Sequence, residues 1–233
     1  MRTRSILALL AVSLAILGFL ALGVWQIERR AWKLDLIERV DARVAAAPVA
    51  APGPEDWAGI SAERDAYRRI SATGTFLSGK EVAVQAVTDL GAGYWVLAPL
   101  DTGAFTVLVN RGFVPADRRD PTTRREVAGP VSVAGLLRVT EPGGGFLRAN
   151  DPGAGRWYSR DVAAIAAAEG LEGPVAPYFI DADATPNPGG LPVGGLTVIR
   201  FRNSHLSYAL TWFALAAGLA GAAIFVRLRA WPE

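Results

Sequence analysis

His205 is the only histidine in a chain of 233 residues that has no cysteine and a single methionine, Met1. Imidazole is thus the one nitrogen ligand available to a metal, and thiolate sites, disulfides and two-imidazole sites are excluded. Tyr208 and Trp212 follow three and seven residues later, on the same face if the segment is helical. Trp212 would lie about 10 Å further along the axis, where an indole ring can pack on a flat apolar ligand. Just ahead of the histidine, Arg200 and Arg202 offer guanidinium groups of the kind that pair with carboxylates. The same residues have a plainer use. A histidine at a membrane interface also caps a helix end, and tyrosine and tryptophan are enriched there. On the residues alone both readings stand.

Elsewhere the chain holds no catalytic constellation. It has no Gly-x-Ser-x-Gly elbow, phosphate loop, HExxH or dinucleotide fingerprint, and it reads as a non-enzyme. Asp181 and Asp183 alternate as acids in a strand usually do when they face water. Arg111, in an Asn-Arg-Gly run after a strand, reads as fixing a turn or a buried carboxylate. Arg118, Arg119, Arg124 and Arg125 read as an exposed basic loop that anionic lipid or a protein partner could touch. Net charge is only +2, which argues against nucleic acid as a partner.

The elements that must position these residues begin with two apolar blocks, in a chain of mean hydropathy +0.25. Ser5–Trp25 carries no formal charge over about 21 residues, roughly 30 Å of helix and the thickness of a bilayer core. A cleaved signal peptide is the competing reading, but the run exceeds the usual apolar region of one. Leu206–Val226 is a second run of about the same length, closed by Arg227 and Arg229. In it Ala214, Gly218 and Ala222 form a small-residue stripe that suits another helix, the first span above all, or simply faces lipid. Two spans put both termini on one side. Charge does not say which, because Arg29, Arg30, Lys33, Arg200 and Arg202 outnumber the arginines at the outer ends.

Between the spans, Trp32, Leu36, Ile37, Val40 and Val44 fall at helical spacing, so the first span is expected to continue as one rod. Strands are expected at Arg68–Phe76, Glu81–Val87, Tyr94–Leu100, Phe105–Arg111 and Val131–Leu137. A short one is expected at Trp157–Tyr158 and a last one at Tyr178–Asp181. One helix, Asp161–Ala168, has an aspartate at its N-cap and Gly170 past its end. The expected fold class is a membrane protein with two transmembrane helices, N- and C-terminal, flanking an α+β, mainly antiparallel β domain. Its parts are a tail (1–4), transmembrane helix 1 (5–27), a juxtamembrane helix (28–47), a linker (48–66), the β-rich domain (67–183), a Gly/Pro-rich linker (184–203), transmembrane helix 2 (204–226) and a tail (227–233). The second linker is either a plain connector or a presenter of backbone groups.

Four stretches resemble the surfeit locus protein 1 family: LGVWQIERRAWKLDLI (22–37), GYWVLAPL (93–100), VLVNRGFVP (107–115) and PNPGGLPVGGLTVIRFRNSHLSYALTWFALA (186–216). The resemblance follows nearly the whole chain and is weakest over 141–177. It implies an assembly factor for cytochrome c oxidase, with both termini cytoplasmic and the domain periplasmic. The lack of a targeting segment ahead of the first helix suggests a bacterial member, in the inner membrane. It further implies haem a, bound transiently and offered to oxidase subunit I, with the haem a synthesis machinery and membrane lipid as the other partners. His205 would then be the axial ligand of the haem iron, Tyr208 and Trp212 would pack on the ring or its tail, and Arg200 and Arg202 would meet the propionates. With no second strong ligand, the iron would be five-coordinate or shared with a tyrosine or a second chain. The alternative is a haem-free scaffold that stabilises subunit I.

Overall fold

The computed structural model describes residues 2–229. Met1 and residues 230–233, which belong to the two expected tails, lie outside the described residues. The chain divides into two bodies, one of residues 1–39 with 199–233 and one of residues 40–198.

The second body is built on a closed sheet. Its strands are β1 (Val49–Ala50), β2 (Arg69–Phe76), β3 (Val82–Thr88), β4 (Gly91–Asp101), β5 (Thr106–Pro115), β6 (Pro130–Val139) and β7 (Val175–Ala182). They lie in the order β1-β2-β6-β7-β5-β4-β3, and a further pairing of β2 with β4 closes β2, β6, β7, β5 and β4 into a small barrel. Closure rests on two residue pairs, Thr75 with Asp101 and Phe76 with Leu100. Gly74 allows it, because a Cβ there would collide with the carbonyl of Asp101. Most pairings are antiparallel, and β5–β7 and β1–β2 are parallel.

The alternation of side chains makes two cores from one sheet. Ile70, Leu100, Val107, Val109, Leu137, Tyr178 and Ile180 fill the barrel. The intervening Leu108 and Phe179 turn outward, where Val82, Val84, Leu97, Trp157 and helix α3 (Val162–Ala168) cover them. β5 is therefore buried on both faces from Thr106 to Val114, which is why its apolar run shows no polar alternation. Asp161 caps α3 by accepting from the Ala164 amide, and Gly170 follows with a positive φ. In place of the short strand expected at Trp157–Tyr158 there is a single parallel bridge from Trp157 to Val84.

Asn110-Arg111-Gly112 is a β-bulge. Val96 pairs with Gly112 and Leu97 with Asn110, so Arg111 is the extra residue in β5. Arg111 thus lies inside the strand and does not follow it. Gly112, at φ 132°, lies so close to Val193 that a Cβ would collide with its carbonyl. Val193 and Phe113 exchange both backbone hydrogen bonds at 2.9 Å, and the Thr197 hydroxyl donates to Asp181 at 3.1 Å. The Gly/Pro-rich segment therefore spends these groups on its own barrel.

The first body contains most of α1, which runs unbroken from Arg2 to Ala45, and α4 (His205–Arg229). Both are long and apolar enough to cross a membrane. The last turns of α1, from Val40, belong to the second body. There Arg43 donates to the carbonyl of Glu63, in the short helix α2 (Ala62–Asp65), at 2.7 Å and to that of Ala66 at 3.2 Å.

Candidate functional site

His205 is the first residue of α4, and its Nδ1 lies 2.7 Å from Oε1 of Gln26 on α1. With the amide oxygen as acceptor, Nδ1 carries the proton and donates. Neutral imidazole then keeps its lone pair on Nε2, so the ring offers one oriented donor atom to a metal. Gln26 is the residue that sequence reasoning missed. Its signal was its place next to Trp25 in the first quoted motif, where an uncharged polar side chain ends a long apolar run.

The two helices pack antiparallel around this pair. Ala209 and Ala216 of α4 are buried. Gly23 of α1 receives the Phe213 ring, and a Cβ at Gly23 would collide with it. One helical turn further, Phe19 and Trp212 stack at 5.7 Å between centroids with 24° between planes. The expected small-residue stripe is elsewhere: Ala214 and Ala222 are exposed, and nothing lies within 4 Å of a Cβ built on Gly218. The α1 contact uses positions spaced 3–4 residues apart, 205, 209, 212, 213 and 216, and so the stripe is not the seam between these helices.

Trp212 is thus half-buried and shares one ring face with Phe19. Tyr208 is 55% exposed, and Arg200 and Arg202 are exposed and form no ion pair among the described residues. His205, Tyr208 and Trp212 share one helix, with the two arginines ahead of it in the irregular segment. Beside them, Lys33 Nζ lies 4.9 Å from the centroid of the Phe201 ring, and the buried Asn203 Oδ1 has no partner. Among the described residues no group of three or more His, Cys, Asp or Glu gathers to hold a metal ion. The single imidazole could serve only a group that needs one nitrogen from the protein.

In the barrel body Asp183 is partly exposed, but Asp181 does not face water as expected. Asp181 is 3% exposed. Its Oδ1 accepts from Asn110 at 2.8 Å and Arg160 at 3.1 Å, and its Oδ2 from Arg138 at 2.8 Å and Thr197 at 3.1 Å. Glu141 joins both arginines, at 3.2 Å to Arg138 and 2.7 Å to Arg160. Burial lowers the Arg160 pKa, but Asp181 and Glu141 outweigh it, so the net shift is upward. With both oxygens fully engaged, Asp181 has no lone pair free for base chemistry.

A β-barrel body joined to a pair of apolar helices long enough to span a bilayer defines a class of membrane-anchored domain. The sequence pattern of the SURF1 family matches residues 13–217. Surfeit locus protein 1 of Rattus norvegicus is 36% identical over 217 residues, 84% of this chain and 68% of that protein. The Homo sapiens protein of the same name is 34% identical, covering 84% and 69%. A SURF1-like protein of Monosiga brevicollis is 37% identical over 239 residues, 94% of this chain and 86% of that protein. The chain belongs to the SURF1 family.

Proposed function

We propose that this chain is an assembly factor for cytochrome c oxidase, the role associated with its family, and that it holds haem a for insertion into subunit I. His205 is the ligand in this reading, and the observation that carries it is the Gln26 contact. A hydrogen bond at Nδ1 fixes the tautomer and aims Nε2, as partners behind metal-binding histidines do. Bound haem a would supply the redox-active iron that the oxidase needs. This chain's own residues would hold and orient it: His205 would bind the iron, Tyr208 and Trp212, with the face that Phe19 leaves open, would pack on the ring, and Arg200 and Arg202 would pair with the propionates. With one protein nitrogen available, the group would be held by a single strong ligand, which suits a carrier. The chain is non-catalytic in this reading. It resides in a bacterial inner membrane, both termini cytoplasmic and the barrel periplasmic, among lipid, subunit I and the haem a synthesis machinery.

The second reading is the haem-free scaffold. It draws on the same contacts, because Gln26–His205 and Phe19–Trp212 also pin α1 to α4 without any ligand. A host lacking the protein separates the two. Under the haem reading, the wild-type chain restores oxidase activity and haem a on subunit I, and His205→Ala restores neither. Full restoration by His205→Ala would leave the scaffold.

A further inference from the structure

Glu81 stands between two buried guanidinium groups. Its Oε1 meets Arg111 at 2.5 Å and its Oε2 meets Arg124 at 2.6 Å. The arginine side chains are 7% and 4% exposed, and the carboxylate 17%. One negative charge thus serves two positive ones, in a place where uncompensated charge is costly. The remaining contacts add no anion. Arg111 donates to Asn187 Oδ1 at 3.0 Å, and Arg124 to the carbonyls of Arg118 at 2.6 Å and Arg119 at 3.0 Å. Arg111 Nε is buried with no acceptor among the described residues, an uncommon state for a charged donor. Burial first, and then the charge of Arg124, hold the Arg111 pKa below its ordinary value against the opposing pull of Glu81.

A cleft of about 280 Å³ opens beside this pair, near the lower end of the volumes, roughly 300–1,000 Å³, that take small ligands. Phe76, Leu77, Ala98 and Val127 make its apolar wall, and Arg111, Arg124 and Arg125 bring guanidinium groups to it. The other acid on the cleft, Glu126, is exposed and accepts from Ser78 at 2.5 Å. Counting Glu81 and Glu126 against the three arginines leaves a net positive lining.

We propose that this cleft binds a small carboxylate carried on an apolar body, its charge set against the Arg111–Arg124 pair and its body against Phe76 and Val127. The site lies wholly in the barrel body and is independent of His205. Butyrate is a suitable probe, with butyramide as its neutral isostere and inorganic phosphate as the competing oxoanion. All would be tested at matched ionic strength on the full chain in a non-ionic detergent.

Thermal denaturation is the readout, since a ligand of the folded state raises the Tm. Butyrate is expected to raise it by a few degrees and butyramide to leave it unchanged. Arg124→Met should lose the response. Should that variant fail to fold, Glu81→Gln carries the test. It removes the shared carboxylate and should make the butyrate response larger than in wild type, with affinity tighter on the order of tenfold. Equal responses to butyrate and butyramide, a stronger response to phosphate, or no response in either wild type or Glu81→Gln would overturn the proposal.

Discussion

Asp181 accepts four hydrogen bonds, two of them from arginines, in a nearly closed site. Asp181→Ala would strand Arg138 and Arg160 with only Glu141 to share, and breaking a buried pair in this way costs about 3–5 kcal/mol. Equilibrium urea denaturation followed by tryptophan fluorescence should show that loss. A change below about 1 kcal/mol would mean that solvent reaches the site. Tyr178 gives a prediction in pH. Its hydroxyl donates to the Pro52 carbonyl at 2.7 Å, and burial raises its pKa above the ordinary 10.0. Above that ordinary value the unfolded chain releases the phenolic proton and the folded chain keeps it. Stability should therefore hold below about pH 10 and fall by about 1.4 kcal/mol per pH unit above it. In Tyr178→Phe that alkaline decline should shrink, which paired denaturation curves at pH 8 and 11 would show. The sequence places Tyr178 and Asp181 in one strand, as found, but not their partners. A lone acid between apolar neighbours says nothing of partners 16 or more positions away, and Arg124 in a basic loop gives no sign that its side chain is buried.

At the scale of elements the sequence was more informative, because periodicity is local. β2 to β7 and α3 fall within a few residues of where alternation, turn residues and the Asp161 cap place them. Closure was not legible, since it depends on a two-pair contact between β2 and β4 and on the absence of a side chain at Gly74. Gly74→Val should push β2 off Asp101 and cost on the order of 1–3 kcal/mol. Faster amide exchange confined at first to Thr75, Phe76 and Leu100 would locate the damage. The seam between α1 and α4 is left open by the sequence for a related reason. Small residues at every fourth position are as common on a lipid-facing side as on a contact, and the contact in fact uses Gly23, Ala209 and Ala216 beside large rings. The absence of native cysteine makes this easy to test. The Phe19→Cys/Trp212→Cys double variant should crosslink with a bifunctional thiol reagent of about 8 Å reach, since the two rings between them exceed a disulfide's span, and adding Gly23→Val should suppress it. Equal crosslinking with Gly23→Val would show that the helices do not meet there.

At the scale of the whole molecule, two apolar helices and a mainly antiparallel β domain between them are read from hydrophobic runs and strand punctuation. The family was read from four quoted stretches that span the chain. What no local pattern could supply is the pairing of His205 with Gln26, which are 179 residues apart. On that pairing rests the central claim, that one oriented imidazole holds haem a. The most direct measurement is the optical spectrum of the full chain, co-expressed with haem a synthesis enzymes and purified in detergent, beside His205→Ala. The account predicts a haem a spectrum in the wild type and none in His205→Ala. A wild-type protein without haem, or haem retained undiminished by His205→Ala, would contradict it.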